Sequence, residues 1–271
     1  FSRGIERMTQ GNAEANAAAG RIAVEVHGNG DPVVMVHGLG GTSNIFTPQV
    51  DALARYFKVI RPDLPGSGRT QANGRISIHS LVDSVVEVME QSGVGSAHLV
   101  GHSMGTIVCQ HLAVRHPAKV QSLALIGPLA APPDAARSAI RDRAAKARNE
   151  GMAGIADAIV QAATSACTKA ARPEAAAFVR ELLMRQPSEG YALSCDALAD
   201  AQAADVSGIG CPVLLITGSD DVVSPPPAVR ALASQFKDAR LTILNACGHW
   251  TTLERPSEVT EALLNFYLAT I

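Results

Sequence analysis

The chain has 271 residues, 47% of them apolar and 18% charged, and its formal net charge is -2 at pH 7. This balance predicts a globular protein with a sizeable core and excludes the disordered and fibrous classes. The near-neutral charge balance argues against a nucleic-acid partner. Apolar runs such as residues 32–36 and 211–217 are far shorter than the roughly 20 residues of a membrane-spanning helix.

The first twenty residues contain no apolar run and are rich in Ala, Asn and Gly after Gln10. We expect residues 1–20 to form a flexible segment outside the fold, and not a secretory signal. The cysteines show neither a C-x-x-C pair nor metal-ligand spacing, and they are Cys109, Cys167, Cys195, Cys211 and Cys247. We interpret them as buried or half-buried apolar groups in a reducing compartment, which predicts a cytoplasmic protein without a metal site.

From residue 21 onward, short apolar runs alternate with longer stretches of helical period. This alternation is typical of a mostly parallel, doubly wound sheet covered by helices, and it predicts an α/β fold. The predicted strands are residues 21–26, 32–37, 58–62, 97–101, 120–126, 213–217 and 240–245. The predicted helices are residues 45–56, 78–92, 106–115, 226–236 and 257–269.

One long stretch contains no strand-like run, and 25 of its 75 residues from 130 to 204 are alanine. Alanine favours helix, and Pro and Gly residues divide the stretch into about four predicted helices. We therefore expect a core of residues 21–129 and 206–271, with a helical cap of residues 130–205 inserted into the sheet. Two compatible interpretations stay open, a packed helical subdomain and a lid that shapes a substrate pocket.

The motif Gly-His-Ser-Met-Gly at residues 101–105 directly follows an apolar strand and precedes a helical pattern. Between a strand and a helix, G-x-S-x-G is typical of a tight turn, the nucleophile elbow, which projects its serine from the end of the sheet. Glycine is needed at both ends because neighbouring elements come close there. The motif predicts Ser103 as a nucleophile and places the N–H of Met104 at a helix N-terminus, where positive partial charge accumulates.

A serine hydroxyl needs a base to take its proton, and a carboxylate to hold that base in the right tautomer. The pair Asp220-Asp221 follows the predicted strand 213–217, and His249 is the only one of the eight histidines beyond that pair. In isolation the acidic pair is typical of a polar loop and His249 of a capping or surface residue. The order Ser, Asp, His, with each group after a strand, favours a catalytic triad. We interpret His102, inside the elbow, as a packing residue.

A second glycine-rich segment, His-Gly-Leu-Gly-Gly at residues 37–41, also follows a predicted strand. Glycines there would let the backbone approach a substrate, so the N–H of Leu39 could join that of Met104 in stabilising an oxyanion. The alternative is a glycine-rich turn, and a phosphate loop is excluded because Gly-Lys-Ser/Thr is missing. Residues 63–68 are interpreted as a structural turn in which Asp63 binds loop backbone.

With these pieces the chain resembles the α/β-hydrolase fold enzymes from about residue 21 to residue 269. The matching segments are residues 37–41, 63–68 and 101–105, Gly218-x-x-Asp221, and Gly248-His249 followed by Glu254-Arg255-Pro256. Among the branches of that family, the chain is most similar to the 3-oxoadipate enol-lactonase group and the small carboxylesterases. The resemblance implies a helical cap after the sixth strand, and it assigns the triad acid to Asp221, three residues after the glycine that ends the strand. As further pocket residues we expect Gly38, His102 and Trp250.

Two positions bear on which branch the chain resembles. Thr106 stands where many members carry another glycine, and Trp250, directly after the histidine, also occurs in carbon-carbon bond hydrolases and epoxide hydrolases. Ser103 excludes the aspartate-nucleophile chemistry of epoxide hydrolases, whereas carbon-carbon hydrolysis stays open. A further alternative is a triad-bearing ligand receptor, similar to the plant hormone receptors on this fold.

The leading prediction is a cofactor-free serine hydrolase that cleaves a small carboxylic ester or lactone through an acyl-enzyme. Its triad is Ser103, His249 and Asp221, and its oxyanion donors are the N–H groups of Leu39 and Met104. The expected partner is the small-molecule substrate, with neither nucleic acid nor a membrane. Substrate specificity is expected to depend on the cap. The oligomeric state cannot be predicted from the sequence.

Overall fold

The structure, a computed structural model, describes residues 21–268. Its strands are β1 (Val24–His27), β2 (Asp31–Val36), β3 (Phe57–Pro62), β4 (Ala97–His102), β5 (Val120–Ile126), β6 (Val213–Gly218) and β7 (Ala239–Leu244). They form one sheet in the order β1-β3-β2-β4-β5-β6-β7, in which β1 is antiparallel to β3 and the other neighbours are parallel. The predicted fold class is confirmed, while the expectation for residues 1–20 lies outside the described residues.

The central strands are almost continuous apolar runs because helices cover both faces of a parallel sheet. Every residue of β4 and β6 is buried, and β5 exposes only Gln121. The register places Val36 beside Gly101, and Ile126 between His102 and Ile216. The carboxyl ends of β2, β4, β5 and β6 therefore lie level along one edge of the sheet, and the loops that follow them meet there.

The helices within the described range alternate with these strands and then form a block between β5 and β6. In chain order they are α1 (Thr47–Leu53), α2 (Ile78–Gln91), α3 (Met104–Arg115), α4 (Asp134–Glu150), α5 (Ala153–Ala163), α6 (Ala166–Ala171), α7 (Pro173–Met184), α8 (Ser188–Asp200), α9 (Pro226–Ala233), α10 (Thr251–Glu254) and α11 (Pro256–Leu268). Helix α2 packs on α3, and α1 packs on α11. None of the helices within residues 21–268 is long and apolar enough to cross a membrane.

The block between β5 and β6, here called the helical insertion (residues 134–200), corrects two expectations. It contains five helices instead of about four, because α6 begins without a Pro or Gly signal. The N-cap of α6 is Ser165, whose hydroxyl accepts the N–H of Thr168 at 3.0 Å. The insertion also follows β5, the fifth strand of the described chain, and not the sixth, because only one strand precedes β2 there.

The helical insertion is held together mainly by the packing of α4 on α8. Arg148 of α4 binds Glu189 at 3.0 Å and Asp196 at 2.8 Å on α8. Asp200, at the end of α8, accepts from Arg141 of α4 and from Arg75 of the core. Exposed ion pairs of this kind are worth about 0–1 kcal/mol each, so apolar burial between the two helices supplies most of the stability.

The cysteines follow the sequence expectation with one exception. Cys109, Cys195 and Cys247 are buried and Cys211 is half-buried, whereas Cys167 is exposed. The expectation is wrong for Cys167 because α6 directs this position outward, where the Arg255 guanidinium lies 3.6 Å from Sγ.

Candidate active site

Ser103 occupies the turn between β4 and α3 with φ 53° and ψ −122°. A non-glycine residue at positive φ costs on the order of 1–3 kcal/mol and persists only where the surroundings impose it. Here the Ser103 N–H donates to the carbonyl of Ile126 at 2.9 Å. A Cβ on Gly101 would lie 2.7 Å from the carbonyl oxygen of Gly105, so the strand and the helix meet too closely for any side chain. The turn has the geometry expected of a nucleophile elbow.

Thr106, which departs from the family glycine, strengthens this turn. Its hydroxyl donates to the Ser103 carbonyl at 2.6 Å and accepts the N–H of Leu129 at 3.0 Å. Gln110, one turn further along α3, donates to the Leu129 carbonyl at 2.8 Å. The elbow is thereby hydrogen-bonded to the segment that leads into the helical insertion.

Three side chains from three separate loops form a hydrogen-bonded chain at the carboxyl edge of the sheet. His249 Nε2 lies 2.8 Å from Ser103 Oγ, and His249 Nδ1 lies 2.9 Å from Asp221 Oδ2. A carboxylate only accepts, so Nδ1 carries the imidazole proton and Nε2 accepts from the serine hydroxyl. Asp221 is 2% exposed, His249 5% and Ser103 9%, which leaves the serine as the most accessible of the three.

Asp221 is held as a carboxylate by its surroundings. Its Oδ1 accepts the N–H groups of Val223 at 2.8 Å and Ser224 at 2.7 Å. Burial by itself would raise the pKa of Asp221, but the charge and hydrogen bond of His249 and these two N–H groups outweigh it, so the pKa lies below its usual range. Asp220, by contrast, is exposed and accepts from the Ser219 hydroxyl. The structure brings Asp221, and not Asp220, to the imidazole.

Two backbone N–H groups flank the serine. Met104 is the first residue of α3, and Leu39 lies in the loop after β2 and, with Ser103, lines the same cavity. Within residues 21–268 neither N–H has an acceptor. Free donors beside a nucleophile, one of them at a helix N-terminus, can bind a developing oxyanion.

The three expected pocket residues take different places. Trp250 lines the cavity, whereas Gly38 and His102 lie behind Ser103. His102 Nε2 donates to the carbonyl of His249 at 2.9 Å, and its ring lies 5.1 Å from that of His249 between centroids. Complete burial, together with the charge of His249, lowers the pKa of His102 to about 3. A neutral, buried ring that supports the His249 backbone agrees with the packing interpretation.

Hydrogen bonds connect the turn at residues 63–68 to the neighbouring loops around the site. Asp63 is 1% exposed and accepts the N–H of Ser43 at 2.8 Å and the Nε of Arg69 at 2.7 Å. His37 is buried, and its Nε2 accepts the N–H of Leu64 at 2.9 Å. These contacts agree with the interpretation of Asp63 as a structural residue.

Glu254 is a buried acid for which no role was predicted from the sequence. It is 1% exposed, and its carboxylate accepts the N–H groups of Ser165, Gly248 and Trp250 at 2.9, 3.0 and 3.1 Å. The loop that carries His249 is thus pinned on both sides of the histidine and joined to the N-cap of α6. The segment Glu254-Arg255-Pro256 contributed to the resemblance to the family, but it did not predict this contact.

Gln186 was also missed, and it joins the helical insertion to the glycine-rich loop after β2. Its Nε2 donates to the carbonyls of Leu182 at 2.9 Å, Gly40 at 3.2 Å and Gly41 at 3.5 Å. Gln186 is 5% exposed. No local signal identifies this contact with the loop, since Gly40 and Gly41 lie about 145 positions earlier in the chain.

The serine and histidine open into a cavity of about 460 Å³ between the core and the helical insertion. The core contributes Leu39, Leu129, Val222 and Val223, and the insertion contributes Ile155, Ala158, Ile159 and Leu198. The lining is mostly apolar, as in typical small-molecule sites. Within residues 21–268 no cluster of three His, Cys, Asp or Glu side chains is arranged to hold a metal ion.

Comparison with known proteins gives consistent matches over most of the chain. The family model described as alpha/beta hydrolase fold matches residues 31–256. The chain is 32% identical to a pimeloyl-[acyl-carrier protein] methyl ester esterase of Chromobacterium violaceum over 251 residues, which cover 89% of this chain and 96% of that protein.

Two solved structures are similar across the whole fold. An esterase from Thermogutta terrifontis in a malate-bound structure superposes with a TM-score of 0.89 at 27% identity, covering 94% of this chain and 96% of that one. The enol-lactonase from Burkholderia xenovorans superposes with a TM-score of 0.84 at 28% identity, covering 91% and 96%. The sheet order, the elbow at Ser103 and these matches agree, and the chain belongs to the α/β-hydrolase fold family.

Proposed function

We propose that this protein is a serine hydrolase that cleaves a small carboxylic ester or lactone through an acyl-enzyme. The observation that carries the proposal is the continuous hydrogen-bonded chain from Ser103 through His249 to Asp221 at the floor of an apolar cavity. The esterases and the enol-lactonase among its relatives support the substrate class.

In the proposed mechanism Ser103 Oγ attacks the substrate carbonyl while His249 Nε2 takes the hydroxyl proton. Asp221 keeps the other ring nitrogen protonated and stabilises the imidazolium that forms. The N–H groups of Leu39 and Met104 hold the tetrahedral oxyanion. His249 then returns the proton to the leaving alcohol, and water releases the acyl group by the same steps in reverse.

The deciding experiment is a turnover screen of p-nitrophenyl esters of increasing chain length beside a panel of lactones. Steady multiple turnover on an ester or lactone is the expected result. Cleavage confined to carbon-carbon substrates such as vinylogous diketones would favour a carbon-carbon bond hydrolase on the same three residues. A single slow turnover, with a ligand-induced rise in melting temperature, would favour a receptor.

We also propose that residues 130–205 act as a substrate-shaping cap on a core of residues 21–129 and 206–271. Ala158 lines the cavity on α5, while Ala145 is exposed on α4 and does not. Ala158→Phe is therefore expected to change the kcat/KM ratio between short and long acyl esters by about tenfold or more. The matched variant Ala145→Phe is expected to leave this ratio unchanged. If the kcat/KM ratio between short and long acyl esters is the same in both variants, the insertion covers the site without shaping the substrate pocket.

Gly127 offers a test of how tightly the histidine is positioned. It has φ +56°, and a Cβ there would lie 2.9 Å from His249 Cε1 and 3.0 Å from Nδ1. Gly127→Ala is expected to displace the imidazole and lower kcat by about 100-fold, since an error of about 1 Å in catalytic geometry has that effect.

The control is Gly151→Ala, because Gly151 also has a positive φ of +77° but no atom within 4 Å of an added Cβ. Both variants carry the backbone penalty of about 1 kcal/mol, and only Gly127→Ala presses on the histidine. If kcat falls equally in both, strain alone explains the loss.

A cytoplasmic location is part of the proposal as well. All five cysteines are free thiols, including the exposed Cys167. Free thiols persist in reducing compartments, where disulfides are rare. Labelling with a thiol reagent in intact cells, compared with an excreted control, checks this expectation.

A further inference from the structure

The segment that carries His249, here called the histidine loop (residues 245–250), joins β7 to α10 and contains neither helix nor strand. Its backbone is strained at Ala246, which has φ 48° although it is not a glycine. Such strain persists only where the surroundings impose it. At Gly248 a Cβ would lie 2.7 Å from Glu254 Oε1 and 2.7 Å from a carbonyl oxygen of the helical insertion. Contacts with other parts of the chain therefore decide where this loop lies.

Three consecutive N–H groups of the histidine loop are bound by groups that lie outside it. Those of Gly248 and Trp250 donate to the two carboxylate oxygens of Glu254, at 3.0 and 3.1 Å. The N–H between them, that of His249, donates to the carbonyl of Ala163 at 2.8 Å. Hydrogen bonds to a carboxylate are about twice as strong as bonds between neutral groups. The backbone on both sides of the imidazole is thus fixed.

The same carboxylate joins the histidine loop to the junction between α5 and α6 (residues 163–165). Glu254 Oε2 also accepts the N–H of Ser165 at 2.9 Å. The Ser165 hydroxyl donates to the carbonyl of Ala246 at 2.9 Å, so the strained residue is held from the helical insertion as well. Ala163, at the start of the junction, lines the cavity. The junction therefore contacts both the histidine loop and the space for a substrate.

Glu254 itself has no access to a substrate. It is 1% exposed, and it lies outside the cavity lining that the described residues form. The opposite side of the histidine loop is held by the core, since the carbonyl of His249 accepts from Nε2 of His102 at 2.9 Å. Any effect of the Glu254 side chain on catalysis therefore has to act through the position of His249.

We propose that Glu254 is a positioning residue that, together with the α5–α6 junction, holds His249 in reach of both Ser103 and Asp221. The helical insertion is then part of the catalytic machinery as well as a wall of the cavity. This inference rests on the proposed hydrolase function. The imidazole has to meet two partners at once, Ser103 Oγ at 2.8 Å and Asp221 Oδ2 at 2.9 Å. An error of about 1 Å in such geometry costs about 100-fold in rate.

The test is Glu254→Gln, which keeps the shape of the side chain but replaces one carboxylate oxygen with an NH2 group. That group faces backbone N–H donors, so at least one of the three hydrogen bonds is lost. On the best ester or lactone of the screen, kcat per active site is expected to fall by about 10- to 100-fold. KM is expected to change by less than about threefold, because the side chain lies outside the cavity. Titration with a fluorophosphonate counts the active sites.

The matched control is Asp63→Asn. Asp63 is also 1% exposed, and its carboxylate also accepts backbone N–H groups, those of Ser43 and Arg69. This variant is expected to lower the melting temperature and to change kcat per active site by less than about threefold. If kcat falls equally in Glu254→Gln and Asp63→Asn, general loss of stability explains the effect and the inference is overturned.

Proton NMR gives a readout that needs no turnover and so separates this inference from the proposed function. The Nδ1 proton of His249, bonded to Asp221, is expected to resonate far downfield of other imidazole protons. In Glu254→Gln this resonance is expected to shift and to exchange faster with water, whereas in Asp63→Asn it should stay in place. An unchanged resonance in Glu254→Gln contradicts the inference, whether or not the turnover screen finds a substrate.

Ser165→Ala is a milder second variant, which decides the question if Glu254→Gln does not fold. It removes the hydroxyl that binds the Ala246 carbonyl and keeps the N–H that binds Glu254. We expect kcat to fall by about three- to tenfold without a change in KM, and the His249 resonance to shift in the same direction as in Glu254→Gln. If neither kcat nor the resonance changes, the insertion does not position the histidine.

Discussion

Replacing Ser103 with alanine is expected to remove nearly all hydrolysis and to leave the fold intact. Loss of the nucleophile from a triad of this kind costs on the order of 10⁶ in kcat, since the remaining groups then act without a covalent step. The stability change is expected to be small because, among the described residues, the Ser103 hydroxyl bonds only to His249, and it fills little of the core. Alanine keeps the Cβ, so the strained turn changes little.

The measurement is kcat on the best ester or lactone of the screen, together with the melting temperature. Ser96→Ala is a matched control, since Ser96 lies before β4 and bonds to Gln121 on the surface. A fluorophosphonate should label Ser103 of the wild-type protein and label nothing in Ser103→Ala. An adduct that mass spectrometry maps to any other residue would show that the nucleophile was wrongly assigned.

Asp221→Asn is expected to lower kcat by roughly 10⁴, the effect of the same change in a protease triad. An amide at this position can donate to Nδ1, which favours the imidazole tautomer whose proton sits on Nε2. Nε2 then cannot accept the proton of Ser103. Asp220→Asn removes the same charge one residue away, and it is expected to cost about tenfold or less, because that side chain is exposed and contacts Ser219. The reverse ranking of the two variants would identify Asp220 as the acid.

Asp221→Asn is also expected to change how the unfolding free energy depends on pH. The pKa of Asp221 is lower in the folded protein than in the unfolded chain, so its ionised form stabilises the fold at pH above about 4. That contribution is lost as the pH falls through the lower, folded pKa. Asp221→Asn lacks it, so its unfolding free energy should depend less steeply on pH in this acidic range than that of the wild-type protein. Urea titrations at pH 3 to 6 measure both slopes.

The sequence by itself determined most of the fold and the order in which the residues of the site occur along the chain. Apolar runs placed the strands within a few residues of their observed bounds. The signal is strongest in the central strands β4, β5 and β6, because helices bury both of their faces. The motif around Ser103 was readable because all its requirements are local: a strand, a glycine on each side and a helix. The position of the helical insertion after Ile126 was readable for the same reason. The number of its helices was not, since the Ser165 cap of α6 lacks a Pro or Gly break.

Only the tertiary structure decided which side chains meet. Ser103 and His249 are 146 positions apart, and the acid was placed from the sequence by resemblance, whereas the structure selects Asp221 by a 2.9 Å contact. Glu254 and Gln186 had no pattern to reveal them, because each binds backbone groups of segments distant in sequence. Periodicity reports which face of an element is buried, but a hydrogen-bond partner supplied by another element leaves no period in the sequence.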